Sequence, residues 1–168
     1  ADSQKMREAM RALDFSVVID VAMSETAMQA DYVLPASSSF EKAEATFFNL
    51  ELPHNAFHLR QPLFEAKAGT LPEAEIHSRL VESLTGMGAK DYGKLTAIAR
   101  LGLLPFALAF AWHSGRNKRL AKYASIALYR TLGAALPKSM SAAASLWGVA
   151  QMYVRQQRQA ATNAGFGG

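Results

Sequence analysis

The chain has no cysteine among its 168 residues. Disulfides, thiolate zinc sites and cysteine-ligated iron–sulfur clusters are therefore excluded within it, while the redox compartment stays undetermined. Acidic residues nearly vanish in the second half. Residues 88–168 hold 11 basic and 1 acidic side chains, a net +10, whereas residues 1–87 hold 7 and 13, a net −6. The basic half either suits an anionic partner, such as nucleic acid, an anionic membrane face or an acidic subunit, or is a solvated face balancing acidic surface elsewhere. No long hydrophobic run is present. Leu101 to Trp112 is twelve apolar or glycine residues, short of the roughly twenty that cross a bilayer, and reads as a buried core helix. No secretory signal opens the chain, because Ala1 to Leu13 alternates charges, so a cytoplasmic location is expected and the start reads as a cut or processed end. No G-x-S-x-G surrounds Ser37, Ser38 or Ser39, and neither G-x-x-x-x-G-K-S/T, H-E-x-x-H nor an internal repeat occurs. His54 and His58 stand four apart, but on an extended segment that is about 13 Å, too far to share a metal.

Half of the residues are apolar, enough for a sizeable core. Chemistry concentrates between Phe15 and Asn49. Two short apolar runs, Phe15 to Val21 and Tyr32 to Leu34, have the length of strands buried on both faces, with a short amphipathic helix over Glu25 to Ala30 between them. Strand, helix, strand with tight connections marks an open parallel sheet, whose ligand crevice lies at the carboxyl ends of the strands. Asp20 ends the first run, and the polar loop Ala36 to Ser39 follows Pro35 at the end of the second. A carboxylate accepts two adjacent N–H donors side by side, as the pairing edge of guanine offers them. Asp20 is thus a candidate for guanine or ribose, the alternative being a cap on the turn after it. Ser24 and Thr26 open the helix in the run S-E-T-A, where they cap it locally or lie beside free amides that receive a phosphate or hydroxyl.

The order VVID, SETA, ADYVLP, E-K and Thr-x-x-Asn-x-Glu, from about Lys5 to Gly86, resembles the third domain of molybdopterin oxidoreductases of the dimethyl sulfoxide reductase type. That family includes formate dehydrogenases, nitrate reductases and polysulfide reductases. The resemblance implies an α/β fold, an incomplete Rossmann-like parallel-sheet domain followed by a helical extension. It implies part of a site for bis(molybdopterin guanine dinucleotide) with molybdenum or tungsten, any iron–sulfur cluster lying in another part of a parent enzyme. It also implies that Lys42, in the E-K pair, reaches the nucleotide, and that Glu73 does so from the start of a later helix. The partners implied are the remainder of the parent chain and an electron-transfer subunit; nucleic-acid or membrane contact is not expected. Two departures stand out, Ala45 where the family usually has Gly, and Glu51-Leu52-Pro53 in place of Glu-Gly-Arg. A cofactor-free relative, like the large iron–sulfur subunit of respiratory complex I, and an interaction module with a basic helical half are the rival readings.

Outside that stretch, Met6, Ala9, Met10 and Leu13 predict an amphipathic helix over Ser3 to Leu13 lying on the sheet. Phe40 to Asn49 reads as a loop and His54 to Gln61 as an extended edge segment. Thr70-Leu71-Pro72-Glu73 reads as a capping box ahead of a helix with a buried stripe Ile76, Leu80, Leu84, stopped by Gly86 and Gly88. Three basic helical segments follow, near 91–112, 117–136 and 138–160, with Pro105 interrupting the first and Pro137 starting the third. Ala142, Ala143, Ala144 and Gly148 permit close helix approach. The expected units are 1–88, 89–162 and a flexible end, 163–168.

Overall fold

The computed structural model of the chain describes residues 3–46 and 58–166. Helix α1 (Ser3–Arg11) leads into strand β1 (Val17–Asp20), and β2 (Tyr32–Pro35) pairs with β1 in parallel, Val17 opposite Tyr32 and Asp20 opposite Pro35. Both strands are rich in β-branched and aromatic residues, which suit a pleated surface, and Pro35 ends the second. A parallel bridge from Ala36 to Leu71 prolongs the pairing at that end. Strands β3 (Glu44–Thr46) and β4 (His58–Arg60) form a separate antiparallel pair. Then follow α2 (Glu73–Thr85), α3 (Ala89–Ala99), α4 (Leu103–Arg116), α5 (Lys118–Lys122), α6 (Ala124–Thr131) and α7 (Ala144–Ala161). The result is a mixed helix and sheet fold with a small parallel pair at one end.

The core lies among the helices. Leu95, Phe106, Ala127, Ala144 and Leu120 are its most buried members, with Leu128, Leu132 and Tyr92 beside them. Trp147 packs on Phe106 at 5.7 Å between ring centroids. Helices α6 and α7 approach closely because Gly148 has no side chain: a Cβ there would stand 2.4 Å from Leu128 Cδ1. Helix α2 is stitched to α6 by charge. Arg130 donates to Glu75 at 2.6 Å and to Glu82 at 2.6 and 2.9 Å, and the Tyr129 hydroxyl donates to Glu75 at 3.1 Å.

Several expectations are corrected. The β1–β2 strands are not buried on both faces: Val17 and Tyr32 are exposed, since two strands alone bring no second layer over them. The helix over Glu25 to Ala30 is a single 3-10 turn, Ala27–Gln29. Helix α1 forms but buries none of its residues, Met6 and Leu13 being exposed; Arg11 Nε donates to Gln29 Oε1 at 2.8 Å instead. Part of the loop from Phe40 is strand β3, and the expected loop and edge segment otherwise run into residues 47–57, outside the described residues. The Thr70–Glu73 capping box is absent, because Pro72 is the residue preceding α2 and Thr70 Oγ1 donates to Lys67 O at 2.8 Å. On α2, Ile76 is buried but Leu80 and Leu84 are exposed. The neighbour-facing stripe is rotated onto Glu75, Ser78 and Glu82, spaced i, i+3, i+7, because Arg130 draws α6 to that side.

The first basic segment breaks at Arg100–Gly102 rather than at Pro105. Gly102 has φ +124°, a conformation that favours glycine, and Pro105 sits in the first turn of α4, where no intrahelical N–H is needed. The Leu101–Trp112 run is not a buried core helix. Phe106 alone is fully buried, while Leu101, Leu104, Leu108 and Trp112 line an exposed face. The second segment is divided into α5, α6 and a 3-10 turn, and the third is 3-10 over Lys138–Ala143 before α7 begins.

Candidate functional site

Parallel pairing puts Asp20 and the residues after Pro35 at the same end of the strands, Ala36 N donating to Asp20 O at 2.9 Å. The Asp20 carboxylate closes on its own turn. Oδ1 accepts from Val21 N at 2.7 Å and Ala22 N at 3.4 Å, and Oδ2 accepts from Ser24 Oγ at 2.6 Å. The Ser24 hydroxyl, then the two amides, hold the carboxyl below its ordinary range, so it is ionised at neutral pH. Ser24 Oγ in turn accepts from Ala27 N at 3.2 Å, which is a cap on the 3-10 turn. Thr26 is exposed and its side chain makes no capping bond.

A second group forms around the loop after β2. Glu41 accepts from Ser38 N at 2.8 Å and Lys67 N at 3.0 Å, and those bonds, Ser38 first, lower its pKa. Ser37 is fully buried, its N donating to Leu71 O at 2.9 Å and its hydroxyl sharing a bond with Thr70 at 3.2 Å. Held by these contacts, Lys42 reaches Glu73 at the start of α2 and forms an ion pair with it. Lys42 borders a cleft of about 740 Å³, lined also by Glu41, Phe64, Tyr129, Lys138 and Ser141 among others. A smaller hollow of about 270 Å³, between β4, α2 and Leu146, contains both Lys42 and Glu73. Arg60 fixes the loop from the other side, donating to Ser39 O and to Glu44 at 2.7 Å.

The structure thus assembles four of the five candidates as two units, Asp20 with Ser24 and Lys42 with Glu73, while the Thr26 side chain bonds to neither. Neither Asp20 nor Ser24 lines the cleft beside Lys42. Ala45 lies in β3 opposite Leu59, and no described non-glycine residue has positive φ, so the exchange of Gly for Ala carries no strain. Asn49, Glu51 and His54 lie outside the described residues. Among the described residues no three of His, Cys, Asp and Glu converge on one point. Ser37 and Glu41 were missed by sequence reasoning, although the spacing Ser38-x-x-Glu41 is an S-x-x-E signal of the kind that fixes a turn. The Arg130, Glu75 and Glu82 cluster has no local signal, because its partners lie about fifty residues apart in sequence.

Residues 1–82 match the molybdopterin oxidoreductase family. Two of the most similar curated proteins agree with that match. The chain is 33% identical over 84 residues to the probable oxidoreductase YoaE of Bacillus subtilis, covering 49% of this chain and 12% of that protein. It is 38% identical over 90 residues to the F420-dependent formate dehydrogenase 2 subunit alpha of Methanococcus maripaludis, covering 54% of this chain and 13% of that protein. The chain therefore spans about an eighth of the length of these relatives. No solved structure matches. The molybdopterin oxidoreductase match ends inside α2, and α3 to α7 lie beyond it. No helix among the described residues is long and apolar enough to cross a membrane.

Proposed function

We propose that this chain is part of a molybdopterin-dependent oxidoreductase of the dimethyl sulfoxide reductase type and holds the guanine dinucleotide arm of its cofactor. The observation that carries the reading is an ionised carboxylate, Asp20, at the carboxyl end of one of two parallel strands. The acceptors present fit a single contact with the group rather than the two adjacent N–H donors of guanine at once. A carboxylate has about four lone-pair sites, and Asp20 uses three of them in its turn, leaving one on Oδ2 for an N–H of guanine or a ribose hydroxyl. Thr26 offers a hydroxyl that is not engaged in capping. Lys42, 14% exposed and held by Glu73, offers a fixed positive charge beside a cleft wide enough for part of a nucleotide.

In this reading the first unit, residues 1–88, is an incomplete Rossmann-like layer that other parts of a longer chain complete, and residues 89–162 are a helical extension. Asp20 orients the base, Ser24 keeps that carboxylate aimed, and Lys42 with Glu73 positions the polar arm. The bound group, bis(molybdopterin guanine dinucleotide) with molybdenum or tungsten, supplies two-electron chemistry with transfer of an oxygen atom or hydride equivalent. An electron-transfer subunit and a cytoplasmic setting complete the proposal.

The test is nucleotide analysis of the full protein purified from cells that make the cofactor. Asp20→Ala is expected to lower the guanine nucleotide released on denaturation by about tenfold while leaving the circular dichroism spectrum unchanged. Unchanged occupancy would confine Asp20 to its turn. Wild-type protein free of molybdenum, tungsten and guanine nucleotide would overturn the reading as a whole.

A further inference from the structure

Far from Asp20 in sequence, a groove of about 540 Å³ runs between α4 and α7. One wall is Ala107, Ala111 and Ser114, the other Gly148, Met152 and Arg155, and each set is spaced i, i+4, i+7. That spacing keeps each trio on a single helix face, and seven residues rise about 10 Å, or two helical turns. Phe110 and Trp147 form an apolar floor. Ala107 and Ala111 on the α4 wall let a third backbone come near, whereas the space beside Gly148 is taken by Leu128. Ser114 Oγ is buried in this wall without a hydrogen-bond partner among the described residues, an unfavourable state.

Apolar surface continues onto both rims. Every residue of α7 from Val149 to Ala160 is exposed, although Val149, Met152, Tyr153 and Val154 are apolar, and α4 presents Leu104, Leu108 and Trp112 outward. Charge at the groove has one sign. Neither α4 nor α7 contains an acidic residue, Arg155 lines the wall, and Arg116 lies over the Trp112 ring at 4.5 Å. Asp91, the single acid after Gly88, accepts from Gly88 N at 2.9 Å.

We infer that this groove receives an amphipathic α-helix from a separate protein, with its apolar stripe between α4 and α7 and acidic residues along the flank facing Arg155. A concave channel with small walls fits a helix, whereas a lipid surface needs a convex apolar ridge. A second copy of this chain offers two amphipathic helices, and neither brings unpaired acidic residues: α2 exposes Leu80 and Leu84, but its Glu73, Glu75 and Glu82 already pair with Lys42, Arg79 and Arg130. Helix α1, tied to its own chain where Arg11 donates to Gln29, carries Lys5, Arg7 and Arg11 against Glu8, and like charges would meet.

The experiment measures anisotropy of two labelled synthetic helical peptides of about twenty residues, titrated with the full protein. They share one leucine stripe and differ only in flanking Glu or Lys. The Glu-flanked peptide is expected to bind about tenfold more tightly at low salt. Arg155→Glu should reverse that order, and Ala111→Trp, which fills the groove from an exposed position, should weaken the Glu-flanked peptide about tenfold without changing Tm. Equal affinity for the two peptides, or binding indifferent to Ala111→Trp, overturns the inference. So does binding only to phosphatidylglycerol vesicles, or self-association blocked by the same substitution. Amide exchange at 107–114 and 148–155 in the full protein that is unchanged by saturating peptide also overturns it.

Discussion

Asp20 holds its own turn, and in the proposed role it would also receive a ligand, drawing on the same oxygens. Three of its acceptor positions go to Val21, Ala22 and Ser24, so the turn is firm before any ligand arrives. The same bonds keep the carboxyl ionised to lower pH than a free aspartate. Because the folded pKa is depressed, the acceptor is fully available above about pH 4, the ordinary Asp range, and is lost only as pH falls through the lower folded value. Nucleotide retention by the full protein is therefore expected to stay flat from neutral pH down to about pH 5. Equilibrium dialysis across that range measures it, and a decline centred near pH 6 would point to a histidine instead. Lys42 shows the complementary arrangement, a cation whose charge is shared with Glu73 and so stays in place beside the cleft.

At the scale of elements, the contact between α2 and α6 depends on ions more than on apolar packing. Burial pushes the Glu75 carboxyl up, but hydrogen bonds from Arg79 and Arg130 outweigh it and hold the group below its ordinary range. Burial also pushes the Tyr129 hydroxyl up to about 12, so it stays a neutral donor to Glu75 at any physiological pH. Arg130→Met would leave Glu75 and Glu82 without their shared cation. Each carboxylate is about one-fifth exposed, so solvent screening trims the loss to about 2–3 kcal/mol, read as a fall in urea midpoint. The pH dependence has a definite sign. A depressed carboxylate contributes fully above its unfolded pKa of about 4.3 and ceases to as pH falls through the folded value. Wild-type Tm should thus drop on the acid side, and the Arg130→Met profile should be flatter there.

For the whole molecule, the buried core and the candidate site lie in different places. The buried apolar cluster is built by α3 to α7, whereas the parallel pair carrying Asp20 is half covered. Phe106→Ala, at a fully buried ring, is expected to cost about 3–5 kcal/mol, and Val18→Ala in β1 about 1 kcal/mol, compared by urea unfolding. Much of this chain was legible before folding. Val17–Asp20 and Tyr32–Pro35 carry their strand identity in β-branched and aromatic side chains, and α1 and α2 carry theirs in periodicity. Asp20, Ser24 and Lys42 could be marked because local order and spacing locate them. Burial was not legible in the same way. Leu80, Leu84 and Leu104 have the spacing of core residues and are exposed, since periodicity says which residues share a face but not whether another element covers it. The Lys42–Glu73 pair, the Arg130 clamp and the groove between α4 and α7 span 31, 55 and about 40 residues of sequence, and no local pattern encodes such distances. Chain-local chemistry determined which segments become helix or strand and where a carboxylate ends one; the approach of distant elements decided which charges meet and which apolar faces stay open.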